Sequence, residues 1–153
     1  MKIEQRIAEL GIELPDPPSP VATYTTCKQS GNLVFVSGQG PIIGGRQMFT
    51  GKLGGAVSLE EGYQSARYCG VNLLAQLKRF LGDLDRVKQV VHLKGFVAST
   101  DDFTMQPAVI NGASDLMVEV FGDVGRHTRC ALGTNVLPTD IPTEVELIVE
   151  VSE

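Results

Sequence analysis

The chain is 153 residues long, one domain on the usual scale of about 100 to 200 residues each, which leaves no room for a second enzymatic domain. With 42% hydrophobic and 20% charged residues, 17 Gly and 8 Pro, it can bury a core and is not a low-complexity chain. Thirteen Lys and Arg against 18 Asp and Glu give a net charge of -5, the opposite of the basic footprint that phosphate-backbone binding requires, so nucleic acid is not an expected partner.

Ile3, Ile7 and Leu10 at helical spacing, followed by Gly11, predict a short amphipathic helix with a glycine stop. Lys2, Glu4, Arg6 and Glu9 in the same stretch deny it a signal peptide's apolar core, and no apolar run nears the roughly 18 residues of a membrane span. A cytoplasmic protein without a membrane partner is expected. Pro15, Pro17, Pro18 and Pro20 forbid a helix or a central strand, so residues 1–20 are expected to be a helix and a proline-rich tether outside a folded domain of residues 21–153. From Tyr24, YTTCKQS, a Gly31-Asn32 turn and LVFVSG predict a hairpin. GQGPIIGG then interrupts the sheet before a third strand near Met48 to Lys52.

Ser58 with Glu61 is a capping box, and Ala66, Gly70, Leu73, Leu77 and Leu81 recur at helical steps as far as Gly82. A long amphipathic helix is expected there, followed by a central strand in the β-branched run 87–99. Pro107 opens a second helix, with Val109, Ala113, Leu116 and Val120 on one face and Gly122 as its stop. Two strands close the chain, 128–136 and 144–151, the latter alternating Val145, Leu147, Val149 and Val151 with Glu144, Glu146, Ile148 and Glu150. The order ββ(β)αβαββ predicts an α+β fold with two main helices on one face of a mixed sheet. Strands apolar on both faces predict that self-association covers the other.

Cys27, Cys69 and Cys130 form no C-x-x-C pair and are odd in number, which suits reduced thiols. His92 and His127 have no ligand-spaced partner, so no metal site is expected. Gly38, Gly40, Gly44 and Gly45 follow a strand but lack the G-x-G-x-x-G spacing and the helix of a dinucleotide loop. They read as a strand exit at which Gly38 and Gly40 permit close approach to the backbone. His127 and Cys130, three apart on a strand, point to opposite faces and make a poor thiol–imidazole pair. The same period puts Arg129 on one face with Ala131 and Gly133. An inward arginine serves either a structural ion pair, with Glu144 or Glu146, or a fixed fork for a small carboxylate; the residues alone leave both open. His92 reads as a hydrogen-bonded structural histidine, and Gln5, Arg46, Lys52 and Arg126 as solvated surface.

Read together, YTTCKQSGNLVFVSGQGP, the helix holding Asn111 and RCALGTNVLPTDIPTEVELIVE resemble the RidA/YjgF family of reactive imine and enamine deaminases, formerly described as L-PSP endoribonucleases or translation inhibitors. The match spans about residues 21–152, and its most specific part is Arg129, then Leu137-Pro138, then Glu144 and Glu146. The resemblance implies a chorismate-mutase-like fold and a homotrimer with a central barrel, helices outside and a cleft at each subunit interface. It implies that Arg129 clamps the carboxylate of a 2-imino acid such as 2-iminobutanoate or 2-iminopropanoate. Glu144 would position or activate the water that attacks the imine carbon to release ammonia. Tyr24, Ser37, Gly38, Asn111 and Ala131 would shape and contact the substrate pocket, with no metal or organic cofactor. Ala131 stands where many relatives carry a cysteine, and the segment before Asn111 is longer than the usual pattern, which marks a divergent subgroup. The alternatives are a non-catalytic carboxylate-binding or regulatory trimer, and a ribonuclease or translation inhibitor, which the net charge opposes.

Overall fold

Ser58 begins the longest element of the structure, a computed structural model that describes residues 2–153. Its hydroxyl accepts from the Glu61 amide at 3.1 Å while the Glu61 carboxylate accepts from the Ser58 amide at 3.0 Å, a reciprocal cap worth about 1 kcal/mol. Helix α2 (Leu59–Leu81) runs from this cap to Gly82, whose φ of 82° ends it. It buries Leu73, Leu74 and Leu77 completely, each contributing about 2 kcal/mol, and Leu73→Ala would cost about 2–5 kcal/mol. Helix α3 (Gln106–Phe121) has proline in its first turn and packs along α2. The two backbones come so close that a Cβ on Gly112 would run into the Tyr63 carbonyl. Tyr63 Oη donates to Asp115 at 2.8 Å, and Arg67 pairs with Glu119 at 2.9 Å, on the outer side of this helix pair.

Both helices lie on one face of a five-stranded sheet in the order β1-β2-β7-β5-β6. Strands β1 (Cys27–Ser30) and β2 (Leu33–Gln39) form the expected hairpin, closed by Gly31 at φ 59°. Strand β7 (Thr143–Val151) lies between β2 and the long β5 (Val87–Ala98), antiparallel to both. The chain leaves β5, passes through α3 and returns as the edge strand β6 (Thr128–Thr134), parallel to β5. Val145, Leu147, Val149 and Val151 are buried beneath the helices, as the alternation predicts. The other face carries Phe35, Ile148, His92 and Thr128 in one row, Glu146, Lys94 and Cys130 in the next, and Glu144, Phe96 and Leu132 in a third. Among the described residues no secondary-structure layer covers it, and Phe35 and Leu132 stand 44% and 47% exposed.

Three expectations are corrected. Residues 48–52 form no strand; instead Ile42–Ile43 (β3) and Arg46–Gln47 (β4) make a minimal hairpin. Gly44 and Gly45, at φ 60° and 78°, supply the two left-handed residues that such a turn demands. Asn72 on α2 pins the start of this excursion by donating to the Gly40 and Ile42 carbonyls at 2.9 and 2.7 Å. The first strand begins at Cys27, so Tyr24 precedes the sheet. Finally, α1 (Lys2–Glu9) and the prolines after it are not a free tether. Ile7 is buried in the core, Glu4 pairs with Lys78 at 2.8 Å, and the Pro18 carbonyl accepts from buried Gln76 at 2.8 Å. Prolines exclude regular structure but do not prevent docking. Among the described residues, no helix is long and apolar enough to cross a membrane.

Candidate active site

Arg129 sits on β6 opposite Leu93, and the parallel register carries Ala131 and Gly133 to the same face, beside Gly95 and Val97. That is the helix-bearing face, so the side chain extends under α3. Nη1 donates to Ser114 Oγ at 3.1 Å and Nη2 to the Pro107 carbonyl at 3.2 Å. A guanidinium has five N–H donors, so three remain for a ligand. Asn111, Ser114, Asp115 and Val118 recur at helical spacing on α3 and, with Arg126, His127 and Arg129, line an open concavity of about 250 Å³. Asn111 thus lines the same concavity as Arg129. Ala131 is instead packed against the margin of the core.

Glu144 occupies a second cleft, of about 330 Å³, whose walls include Tyr24, Gly38, Thr139 and the Pro18–Ser19 stretch of the amino-terminal arm. Among the described residues its carboxylate has no hydrogen-bond or ion-pair partner. Partial burial, and next the nearby charge of Glu146, push its pKa above the ordinary 4.5. A half-buried, unpartnered carboxylate of this kind is suited to take a proton from water near neutral pH. Thr139, which lines this cleft, and the next residue Asp140 stand at φ 55° and 60°, where side chains are rarely tolerated. Gln47 Nε2 donates to the Thr139 carbonyl at 3.1 Å, and the Gly51 amide to that of Asp140 at 2.8 Å, which clamps the turn. Ser37 does not join this cleft. It lies within the register shift of β2 between Val36 and Gln39 and lines a depression of the uncovered face with Phe35, Lys94 and Glu146.

Within one chain, Arg129 and Glu144 are therefore far from partners. Strand β5 separates β6 from β7, and Glu144, paired with Phe96, projects from the face opposite Arg129. The ion pair with Glu144 or Glu146 considered for Arg129 does not form; Glu146 stands 3.8 Å from Lys94 instead. The last two strands are not neighbours in the sheet, because β5 takes the place between them. The poor pairing of Cys130 with His127 is confirmed: Cys130 faces the uncovered side, while His127 Nε2 lies 2.9 Å from Ser114 Oγ. His92 bonds Thr128 Oγ1 at 2.9 Å, as a structural histidine should.

Among the described residues, one carboxylate group, Glu4, Asp83 and Asp85, is close enough to share a cation. Asp85 is already engaged at the start of α1, accepting from the Lys2 and Ile3 amides at 2.9 Å each. Sequence reasoning missed Ser114, Asp115 and Val118, although their spacing from Asn111 on one helix announced a shared face. It also missed Pro18 and Ser19 as cleft walls, for which the sequence carried no signal.

Comparison with known proteins matches residues 4–151 to the family model described as "YjgF/chorismate_mutase-like, putative endoribonuclease". Protein TCP17 of Trypanosoma cruzi is 44% identical, over 99% of this chain and 95% of its own. The crystal structure of Atu1372 from Agrobacterium tumefaciens superposes with a TM-score of 0.92 at 44% identity, covering 98% of this chain and 92% of the other. A Shewanella oneidensis protein, described as a "putative endoribonuclease", reaches a TM-score of 0.95 at 34% identity, covering 97% and 99%.

Proposed function

We propose that this chain, which belongs to the YjgF/chorismate mutase-like family, hydrolyses small 2-imino acids and their enamine tautomers to 2-oxo acids and ammonia. The reaction would take place in a cleft that a second copy completes. The observation that carries this reading is the pair of unfinished half-sites. Among the described residues, Arg129 keeps three free donors in one concavity, and Glu144 lies without a partner in another. Each supplies what the other lacks. The uncovered sheet face, with its apolar Phe35, Phe96, Leu132 and Ile148, is the surface through which copies would meet as a closed trimer.

In this cleft the guanidinium of Arg129 grips the substrate carboxylate as a planar fork, and Asn111 borders it. The imine carbon then lies toward Glu144 of the adjoining copy. Glu144 takes a proton from water as the oxygen bonds to that carbon. It returns that proton to the imine nitrogen, giving a neutral carbinolamine; Glu144 then takes the hydroxyl proton and passes it to the amine nitrogen, so that the C–N bond breaks, ammonia leaves and the hydroxyl oxygen becomes the new carbonyl. An imine is already electrophilic, so orientation and one well-placed base suffice. The acidic net charge disfavours RNA as the substrate.

The test is release of 2-oxobutanoate from 2-iminobutanoate, generated in situ by an amino acid oxidase. Wild-type protein accelerates it and Arg129→Ala does not. Trimers refolded from a mixture of Arg129→Ala and Glu144→Gln chains regain part of the rate, because some clefts then hold both native residues. No acceleration by wild-type protein, with 2-oxobutanoate still bound, would replace the hydrolase by a binding trimer. Mixtures as inactive as their components would overturn the shared cleft.

A further inference from the structure

His127 and Ser114 make a directed chain of hydrogen bonds that ends on Arg129. His127 Nδ1 lies 2.7 Å from the Gly125 carbonyl, its Nε2 2.9 Å from Ser114 Oγ, and Ser114 Oγ 3.1 Å from Arg129 Nη1. Every proton in the chain can be assigned. A carbonyl oxygen only accepts, so the imidazole proton is on Nδ1, and Nε2 of the neutral ring has only a lone pair to offer. Ser114 therefore donates its hydroxyl proton to Nε2, which turns its own lone pairs to the guanidinium. The arginine, which can only donate, fits that arrangement and no reversed one.

The far end of the chain is anchored as firmly. A Cβ on Gly125 would run into the Met117 carbonyl, so the carbonyl that orients His127 belongs to backbone packed tightly against α3. Burial, and then the charges of Arg129 and His92, hold the imidazole below its ordinary pKa of 6.5, although the Gly125 bond acts the other way. The neutral ring that the chain needs is thus the prevailing form at neutral pH. The remaining charged groups around this concavity are Asp115 on α3 and Arg126 beside His127.

We propose that Ser114 and His127 are positioning residues that fix the Arg129 guanidinium, so that its free N–H groups face the substrate carboxylate. This inference rests on the reading of Arg129 as the carboxylate clamp. Pro107 holds Nη2 by its carbonyl, and the Ser114–His127 chain holds Nη1. The guanidinium plane is fixed at two points before any ligand arrives.

Nitrogen-resolved NMR of the whole protein tests this with and without ligand. His127 is expected as the Nδ1–H tautomer, with the Arg129 Nη signals distinct because rotation of the guanidinium is blocked. Ser114→Ala and His127→Ala should each average those signals. Each should also raise the Kd for 2-oxobutanoate and the KM for 2-iminobutanoate about tenfold, with kcat changed far less. The double variant should be no worse than either single one, as expected of residues acting through one chain, and Ser114→Thr should restore wild-type values. An Nε2–H tautomer, or Arg129 as rigid in Ser114→Ala as in wild type, would overturn the proposal. A rigid Arg129 that loosens in the variants, in a protein that neither binds nor hydrolyses these acids, would uphold the chain and refute the substrate reading alone.

Discussion

Glu144 lies directly over Gly38: a Cβ at position 38 would stand 3.0 Å from both Cγ and Cδ of the carboxylate side chain. The absent side chain on β2 is what leaves room for a carboxylate on β7. Gly38 is not in the left-handed region, so its role is space and not backbone freedom. Gly38→Ala should therefore fold, with a stability change within about 1 kcal/mol because a partly exposed side chain can yield. Displacing Glu144, the proposed base, should lower kcat for the proposed imine hydrolysis about tenfold or more. Paired denaturation and kinetic measurements check this, and an unaltered kcat would separate Gly38 from the positioning of Glu144.

Burial and Glu146 raise the pKa of Glu144, and the sign of the consequence for stability is fixed. The fold favours the protonated form. The stabilising contribution is full below the unfolded value near 4.5 and is lost as pH rises through the higher folded value. Glu144→Gln should thus be inactive yet raise the Tm at pH 7, with the gain vanishing near pH 4. Calorimetry at the two values decides.

If ionised Glu144 is the base, the hydrolysis rate should rise with pH across its raised pKa. Glu146→Gln removes one cause of the rise and should move that limb to lower pH, without abolishing turnover. A rate profile recorded for both proteins tests it, and an unmoved limb would exclude Glu144 as the titrating group.

Ile7 is 2% exposed and belongs to the main core. Ile7→Ala is expected to cost about 2–4 kcal/mol in urea denaturation, where a free tether would give no change. The arm also walls the Glu144 cleft through Pro18 and Ser19, so removing residues 2–20 should alter KM as well as stability.

Phe35 is 44% exposed on the uncovered face. Phe35→Glu should leave the fold of one chain intact while preventing assembly of the proposed trimer, read by sedimentation velocity. Hydrolysis should disappear with the trimer, because Arg129 and Glu144 do not meet in one chain. Active monomers would refute the shared cleft.

Local chemistry made much of this protein legible in one dimension. The Ser58–Glu61 cap, the steps of Leu73, Leu77 and Leu81, and the alternation on β7 each depend on residues a few positions apart, so their periods survive in the sequence. The face shared by Arg129, Ala131 and Gly133 followed from the same period-two geometry, and the helix-bearing side of the sheet followed from the order of elements. Strand order did not. Sequence cannot register that β5 lies between β6 and β7, because antiparallel neighbours and separated strands leave the same alternation; this order keeps Arg129 and Glu144 a strand apart, while the register that sets Arg129 beside Leu93 and Glu144 beside Phe96 puts them on opposite faces. Docking of the amino-terminal arm was equally hidden, since it depends on Ile7 meeting a core and on Gln76 reaching Pro18, contacts between distant residues with no local period. The Arg129–Ser114–His127 chain belongs to the same class: its protons are ordered by three elements that only the folded backbone brings within hydrogen-bond reach.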